Sequence, residues 1–102
     1  MDQHKVVILE DEQTSLMLLK EVLEKHGYAV EATFESGEAY LQQAAKLKSN
    51  ILFVDIKLAG KKTGIQVVQE LPNREEFCIV YLTSNTNETI IDNSNSTLPL
   101  WK

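Results

Sequence analysis

The sequence predicts an α/β domain built on a parallel sheet, and three observations carry that expectation. Val6-Val7-Ile8-Leu9, Ile51-Leu52-Phe53-Val54 and Ile79 to Leu82 are apolar runs, as strands covered on both faces must be. The segments between them repeat apolar residues at helical spacing. Each run also stops abruptly at a polar group, at Glu10-Asp11, Asp55 and Thr83 respectively.

Taken in order, Val6 to Leu9 is the first strand, ending at Glu10-Asp11-Glu12. Leu16, Leu19, Val22 and Leu23 form the stripe of an amphipathic helix, with Thr14 or Ser15 as its N-cap and Gly27 as its stop. Tyr28 to Ala32 is a short second strand. Ser36-Gly37 opens a helix with Tyr40, Leu41, Ala44 and Leu47 on its apolar side. Ile51 to Val54 is the third strand, and Asp55 leads into a loop containing Gly60 and Gly64. Ile65, Val67, Val68 and Leu71 mark a third helix that Pro72 terminates. Ile79 to Leu82 is a fourth strand leading to Thr83-Ser84, and 87–95 is read as a short helix with Ile90 and Ile91 as its apolar contacts.

A chain of 102 residues, 43% hydrophobic and 25% charged, is expected to form one domain, 1–102, without an attached output domain. Fifteen acidic against ten basic residues give a formal charge of -5 and a pI near 4.9, the wrong sign for a nucleic-acid surface or an anionic membrane. The N-terminal apolar run is too short for a signal peptide or a membrane span, so a cytoplasmic protein is expected. The single Cys78, inside an apolar run, fits a buried, inert thiol in that compartment. The Asn-x-Thr sequons at Asn87 and Asn95 would matter only in a secreted chain. His4 and His26 are predicted to lie away from the strand ends, and Trp101 reads equally as a core or a partner anchor.

Right-handed crossovers place helices on both faces of such a sheet, and ligands bind beyond the carboxyl ends of its strands. That rule converges Glu10, Asp11, Asp55 and Thr83 on one edge. Carboxylates gathered without a counter-charge repel one another, and a divalent cation is the usual relief. With oxygen ligands and no Cys or His in the group, Mg2+ or Mn2+ suits the set better than zinc. A carboxylate beside such an ion can act as a nucleophile toward a phosphoryl group. Taken singly, each residue also has a plain structural reading. Asp55 could cap a turn, Glu10 to Glu12 could be a solvated acidic turn, Thr83 could satisfy a strand end, and Lys57, Lys61 and Lys62 read as a solvated loop.

These residues resemble the receiver domain of two-component response regulators. The resemblance rests on Val-Val-Ile-Leu-Glu10-Asp11-Glu, on Ile-Leu-Phe-Val-Asp55-Ile-Lys-Leu with a following Gly, and on the strand ending in Thr83-Ser84. It runs from Lys5 to Lys102 and implies a flavodoxin-like doubly wound sheet of strand order 2-1-3-4. It also implies that Asp55 accepts a phosphoryl group from a sensor histidine kinase or phosphotransfer protein. Asp11, Asp55 and the Lys57 backbone carbonyl would hold the Mg2+, and Glu10 would act mainly through a metal-bound water. Thr83 would turn to hydrogen-bond the phosphoryl group and signal to a downstream protein target. Lys57 and Asn85 fall where the family modulates the lifetime of the phosphoryl group.

This chain departs from the pattern in three places. Ala59 stands where the family usually has Pro, and Gly64 follows Asp55 by nine residues, one more than is usual. By that resemblance the family's fifth strand, Lys-Pro dipeptide and fifth helix are expected to be missing or incomplete, with Leu98 to Lys102 resembling only the run-in. That would leave the fourth strand as an open edge and one sheet face bare, to be closed by a partner, by a homodimer, or by 85–102 in another conformation. Three functions therefore compete: a phosphoacceptor switch, a degenerate receiver acting as a phosphorylation-independent binding or dimerisation module, and a haloacid-dehalogenase-like phosphatase. The last requires a second acid two residues after the nucleophile, where this chain has Lys57.

Overall fold

A computed structural model of the chain describes residues 4–82 and the backbone of residues 89–91. The elements are β1 (His4–Leu9), α1 (Gln13–Lys25), β2 (Tyr28–Phe34), α2 (Gly37–Gln43), a 3-10 turn (Ala44–Lys46), β3 (Ile51–Asp55), α3 (Gly64–Gln69), a second 3-10 turn (Arg74–Glu76), β4 (Cys78–Leu82) and β5 (Thr89–Ile91). The strands lie in the order β2-β1-β3-β4-β5, the first four parallel and β5 antiparallel to β4.

Alternation along the strands divides the core in two. Val7, Leu9, Leu52, Val54, Ile79 and Tyr81 meet Tyr40 of α2 and Val67, Val68 and Leu71 of the α3 region. On the other face Val6, Ile8, Phe53 and Val80 pack with Leu19 and Leu23 of α1. Each fully buried side chain of this kind stabilises the fold by roughly 1.5–3 kcal/mol, so the apolar runs hold the sheet in place and fix where their polar ends emerge.

Several local expectations are corrected. Glu12, rather than Thr14 or Ser15, caps α1: its carboxylate accepts the Ser15 amide at 3.0 Å and so satisfies a donor the helix cannot. The buried stripe of α1 is Leu16, Leu19 and Leu23, spaced by three and four residues, which leaves Val22 a step round the helix and 37% exposed. Ile65 is likewise outward-facing, and α3 buries Val67 and Val68 instead. β2 runs on through Phe34, and α3 ends at Gln69, short of Pro72. Cys78 is half-buried at the start of β4.

Of the helix read over 87–95, only Thr89–Ile91 are described, and they form a strand. Thr-Ile-Ile is a run of β-branched residues that favours extended backbone, and its pairing of Ile91, Ile90 and Thr89 with Val80, Tyr81 and Leu82 overrides the weak helical pattern. The edge of β4 is therefore covered over those three residues rather than open. The expectations for Ser84, Asn85, the sequon at Asn95, and Leu98 to Lys102 with Trp101 lie outside the described residues.

Candidate functional site

β1 and β3 are neighbours in parallel register, with Leu9 opposite Val54, so the next residues, Glu10 and Asp55, leave the sheet side by side. Backbone hydrogen bonds extend the ladder past both. The Glu10 amide donates to the Phe34 carbonyl at 2.9 Å, and the Ile56 amide donates to the Leu82 carbonyl at 3.1 Å. Parity places Glu10 with Ile8 and Asp55 with Phe53, on the face where α1 begins. A carboxylate oxygen from each of Glu10, Asp11 and Asp55 lies within 4.8 Å of the others, Glu10 and Asp55 buried and Asp11 exposed.

Burial without a counter-charge perturbs this pair. The Glu10 carboxyl is pushed up to about 7, chiefly by desolvation; the Glu12 amide opposes the rise, and the charges of Asp55 and Asp11 add to it. Asp55 is also raised by burial, against the amides of Lys57 and Ile56 and its hydrogen bond with Glu10. The hydrogen bond between the two acids adds to the rise at Glu10 and opposes the one at Asp55. The Lys57 amide donates to Asp55 Oδ1 at 3.2 Å, and the Glu12 amide to Glu10 Oε2 at 3.1 Å, so each carboxylate is oriented by the backbone two residues on. The residue two after Asp55 is Lys57, exposed and not an acid.

These residues fit a hard divalent cation on the chemistry of the donors. Three anionic oxygens converge, two of them buried, and a +2 charge would remove the repulsion that now favours protonation. Thr83, the expected fourth participant, lies outside the described residues; Leu82, in register with Asp55, is the last described residue before it.

The loop after Asp55, 56–63, is more structured than a solvated lysine loop. The Gly64 amide closes it on the Ile56 carbonyl at 2.8 Å, and a side chain at Gly64 would fall on the Asp55 carbonyl oxygen. Thr63 opens α3 in a reciprocal cap with Gln66. The Lys62 ammonium pairs with Glu70 at 2.6 Å. At the apex, the Lys61 amide donates to Glu38 Oε2 at 2.9 Å, and Ser36 and Ala59 form a single parallel bridge. Glu38 was not singled out from sequence, because an acid in the first turn of a helix is what the helix dipole favours anyway.

Comparison with known proteins agrees with this architecture. Residues 6–95 match the response regulator receiver domain. The chain is 30% identical over 83 residues to the aerobic respiration control protein ArcA of Escherichia coli strain K12, covering 81% of this chain and 34% of that protein. It is 33% identical over 85 residues to the alkaline phosphatase synthesis transcriptional regulatory protein PhoP of Bacillus subtilis strain 168, covering 82% and 35%. The chain therefore spans about a third of the length of these relatives. Among solved structures, it is similar to the signal receiver domain of a modulated diguanylate cyclase from Desulfovibrio desulfuricans G20, with TM-score 0.75, 31% identity, and 83% of this chain and 68% of that one covered. The receiver domain of the Erythrobacter litoralis response regulator PhyR matches with TM-score 0.73 and 25% identity over 82% and 65%. With the strand order 2-1-3-4 and the acidic edge in place, the chain belongs to the response regulator receiver domain family of two-component systems.

Proposed function

We propose that the chain is the phosphoacceptor switch of a histidine-to-aspartate relay, with Asp55 as the acceptor. The observation that carries this reading is the convergence of Glu10, Asp11 and Asp55 within 4.8 Å at the carboxyl ends of β1 and β3. An Asp55 oxygen attacks the phosphorus of a phosphohistidine on a sensor kinase or phosphotransfer protein. The P–N bond breaks, its electron pair stays on the imidazole, and an acyl phosphate forms on Asp55.

Asp11, Asp55 and the Lys57 carbonyl are the residues to hold a Mg2+ or Mn2+, with Glu10 acting through water. A cation held there would supply charge neutralisation for the transferred oxygens. Glu10 and Asp55 supply the electrostatic demand for it, since burial holds both toward the protonated, non-nucleophilic form. The amide of Lys57 fixes one Asp55 oxygen, Oδ1, and so orients the carboxylate. Thr83 reads out the product by hydrogen-bonding it, which alters the surface that a downstream protein recognises.

Incubation with acetyl phosphate and Mg2+ is expected to add the mass of one phosphoryl group to the wild type and none to Asp55→Ala. A wild type that is never labelled and does not bind beryllofluoride would sink the reading. A downstream partner that binds Asp55→Ala and phosphorylated wild type equally well would instead identify a phosphorylation-independent binding module.

A further inference from the structure

We propose that Glu38, at the start of α2, is a positioning residue for the cation-binding edge. It holds the apex of 56–63 and so sets where the Lys57 carbonyl lies relative to Asp55. The inference rests on the reading of that edge given above. Both ends of the loop are tied locally, by the Lys57 amide on Asp55 and the Gly64 amide on Ile56. Its middle is held from another element, where Glu38 Oε2 receives the Lys61 amide at 2.9 Å.

The second Glu38 oxygen, Oε1, is covered and makes no hydrogen bond among the described residues. It lies over Gly60, where a Cβ would come within 2.6 Å of it, and Gly60 has a φ of +90°, a conformation open to glycine. The carboxylate therefore fills a hollow that this backbone path leaves, and the bridge between Ser36 and Ala59 aligns the two segments beside it. The Lys61 amide, followed by the amide of Glu38 itself and the Lys62 charge, holds Glu38 below the usual carboxylate range, so it is ionised while it does this.

A carboxylate in the first turn of α2 could instead serve only the helix dipole. Glutamine separates the two roles, because it keeps an oxygen to accept the Lys61 amide but loses the charge. The test measures amide exchange of Lys57 to Lys61 by NMR without metal, Mg2+ affinity by calorimetry, and acetyl phosphate labelling at saturating Mg2+. Glu38→Ala is expected to speed exchange at Lys61 by about tenfold, the loss of one charge-assisted hydrogen bond. It should weaken Mg2+ binding by roughly threefold to tenfold, with the labelling rate at saturating Mg2+ within about twofold of wild type, because Asp55 itself sits on β3. Glu38→Gln should recover most of both losses. Unchanged Mg2+ affinity in Glu38→Ala, or Glu38→Gln as impaired as Glu38→Ala, overturns the inference. A wild type that binds Mg2+ but takes no phosphoryl group defeats the phosphoacceptor reading alone, whereas one that binds no Mg2+ defeats both.

Discussion

The turn after β1 and the loop after β3 bring buried carboxylates to the same place and are held by opposite means. The first is short and, beyond the Glu10 amide on Phe34, tied to itself: the Glu12 amide reaches Glu10, the Glu12 side chain caps α1 through Ser15, and the Leu16 amide closes on the Glu12 carbonyl at 3.0 Å. The second runs through 56–63, is tied locally at both ends, and is held in its middle by residues distant in sequence, namely Ser36 and Glu38. A short turn takes its geometry from its neighbours, whereas a long loop needs anchors supplied by the rest of the fold. The side of the site that supplies the proposed acceptor is therefore the one most dependent on tertiary context.

The sharpest break between the two regions is chemical. Asp55→Asn is expected to abolish phosphoryl uptake, while Glu10→Gln, which removes the neighbouring buried acid, still labels once Mg2+ is raised to compensate for weaker binding. Intact-mass measurement across a Mg2+ titration distinguishes them, and loss of labelling in both would erase the asymmetry.

Next in size is Gly64→Ala. Its Cβ meets backbone at the Asp55 carbonyl rather than a flexible side chain, so the closure of the β3 loop must shift, at about 2–3 kcal/mol of stability. Urea unfolding reads this as a lower midpoint at unchanged slope.

A smaller effect concerns pH. Glu10 binds its proton more tightly folded than unfolded, its value raised to about 7 from 4.5, so between those values the native state carries more protons. Stability of the metal-free protein should therefore fall as pH rises from about 4.5 to about 7, by on the order of 1 kcal/mol. The neighbouring charges on Asp11 and Asp55 enter the same balance. Thermal melts across that range should show the decline, with Glu10→Gln flattening it and Mg2+ opposing it at the upper end. The smallest effect is expected from Glu12→Ala, which loosens only the exposed N-terminus of α1. Its melting temperature should drop slightly while amide exchange at 57–61 stays as in wild type, because the lost Glu12 carboxylate is bonded to Ser15 rather than to that loop.

Much of the fold was legible. Val6 to Leu9, Ile51 to Val54 and Ile79 to Leu82 are buried strands because unbroken apolar runs have no other stable place, and Glu10 and Asp55 follow them by chain continuity. Patterning failed where two solutions differ little in burial. The N-cap moved to Glu12 because its carboxylate also reaches the Ser15 amide, and Val22 turned outward because Leu16, Leu19 and Leu23 already fill the stripe. Thr89–Ile91 became a strand because the edge of β4 offered hydrogen bonds that no local pattern records.

The sequence by itself determined the order of strands and helices as far as β4 and which acidic residues stand at the strand ends. Those follow from alternating burial and from the chain passing directly from an apolar run to a polar residue. Only the tertiary structure decided how close Glu10, Asp11 and Asp55 come, that burial raises Glu10 and Asp55, and that Glu38 reaches the backbone of Lys61. These depend on register between strands far apart in sequence and on packing against α2, and no local pattern of residues encodes distances across a sheet.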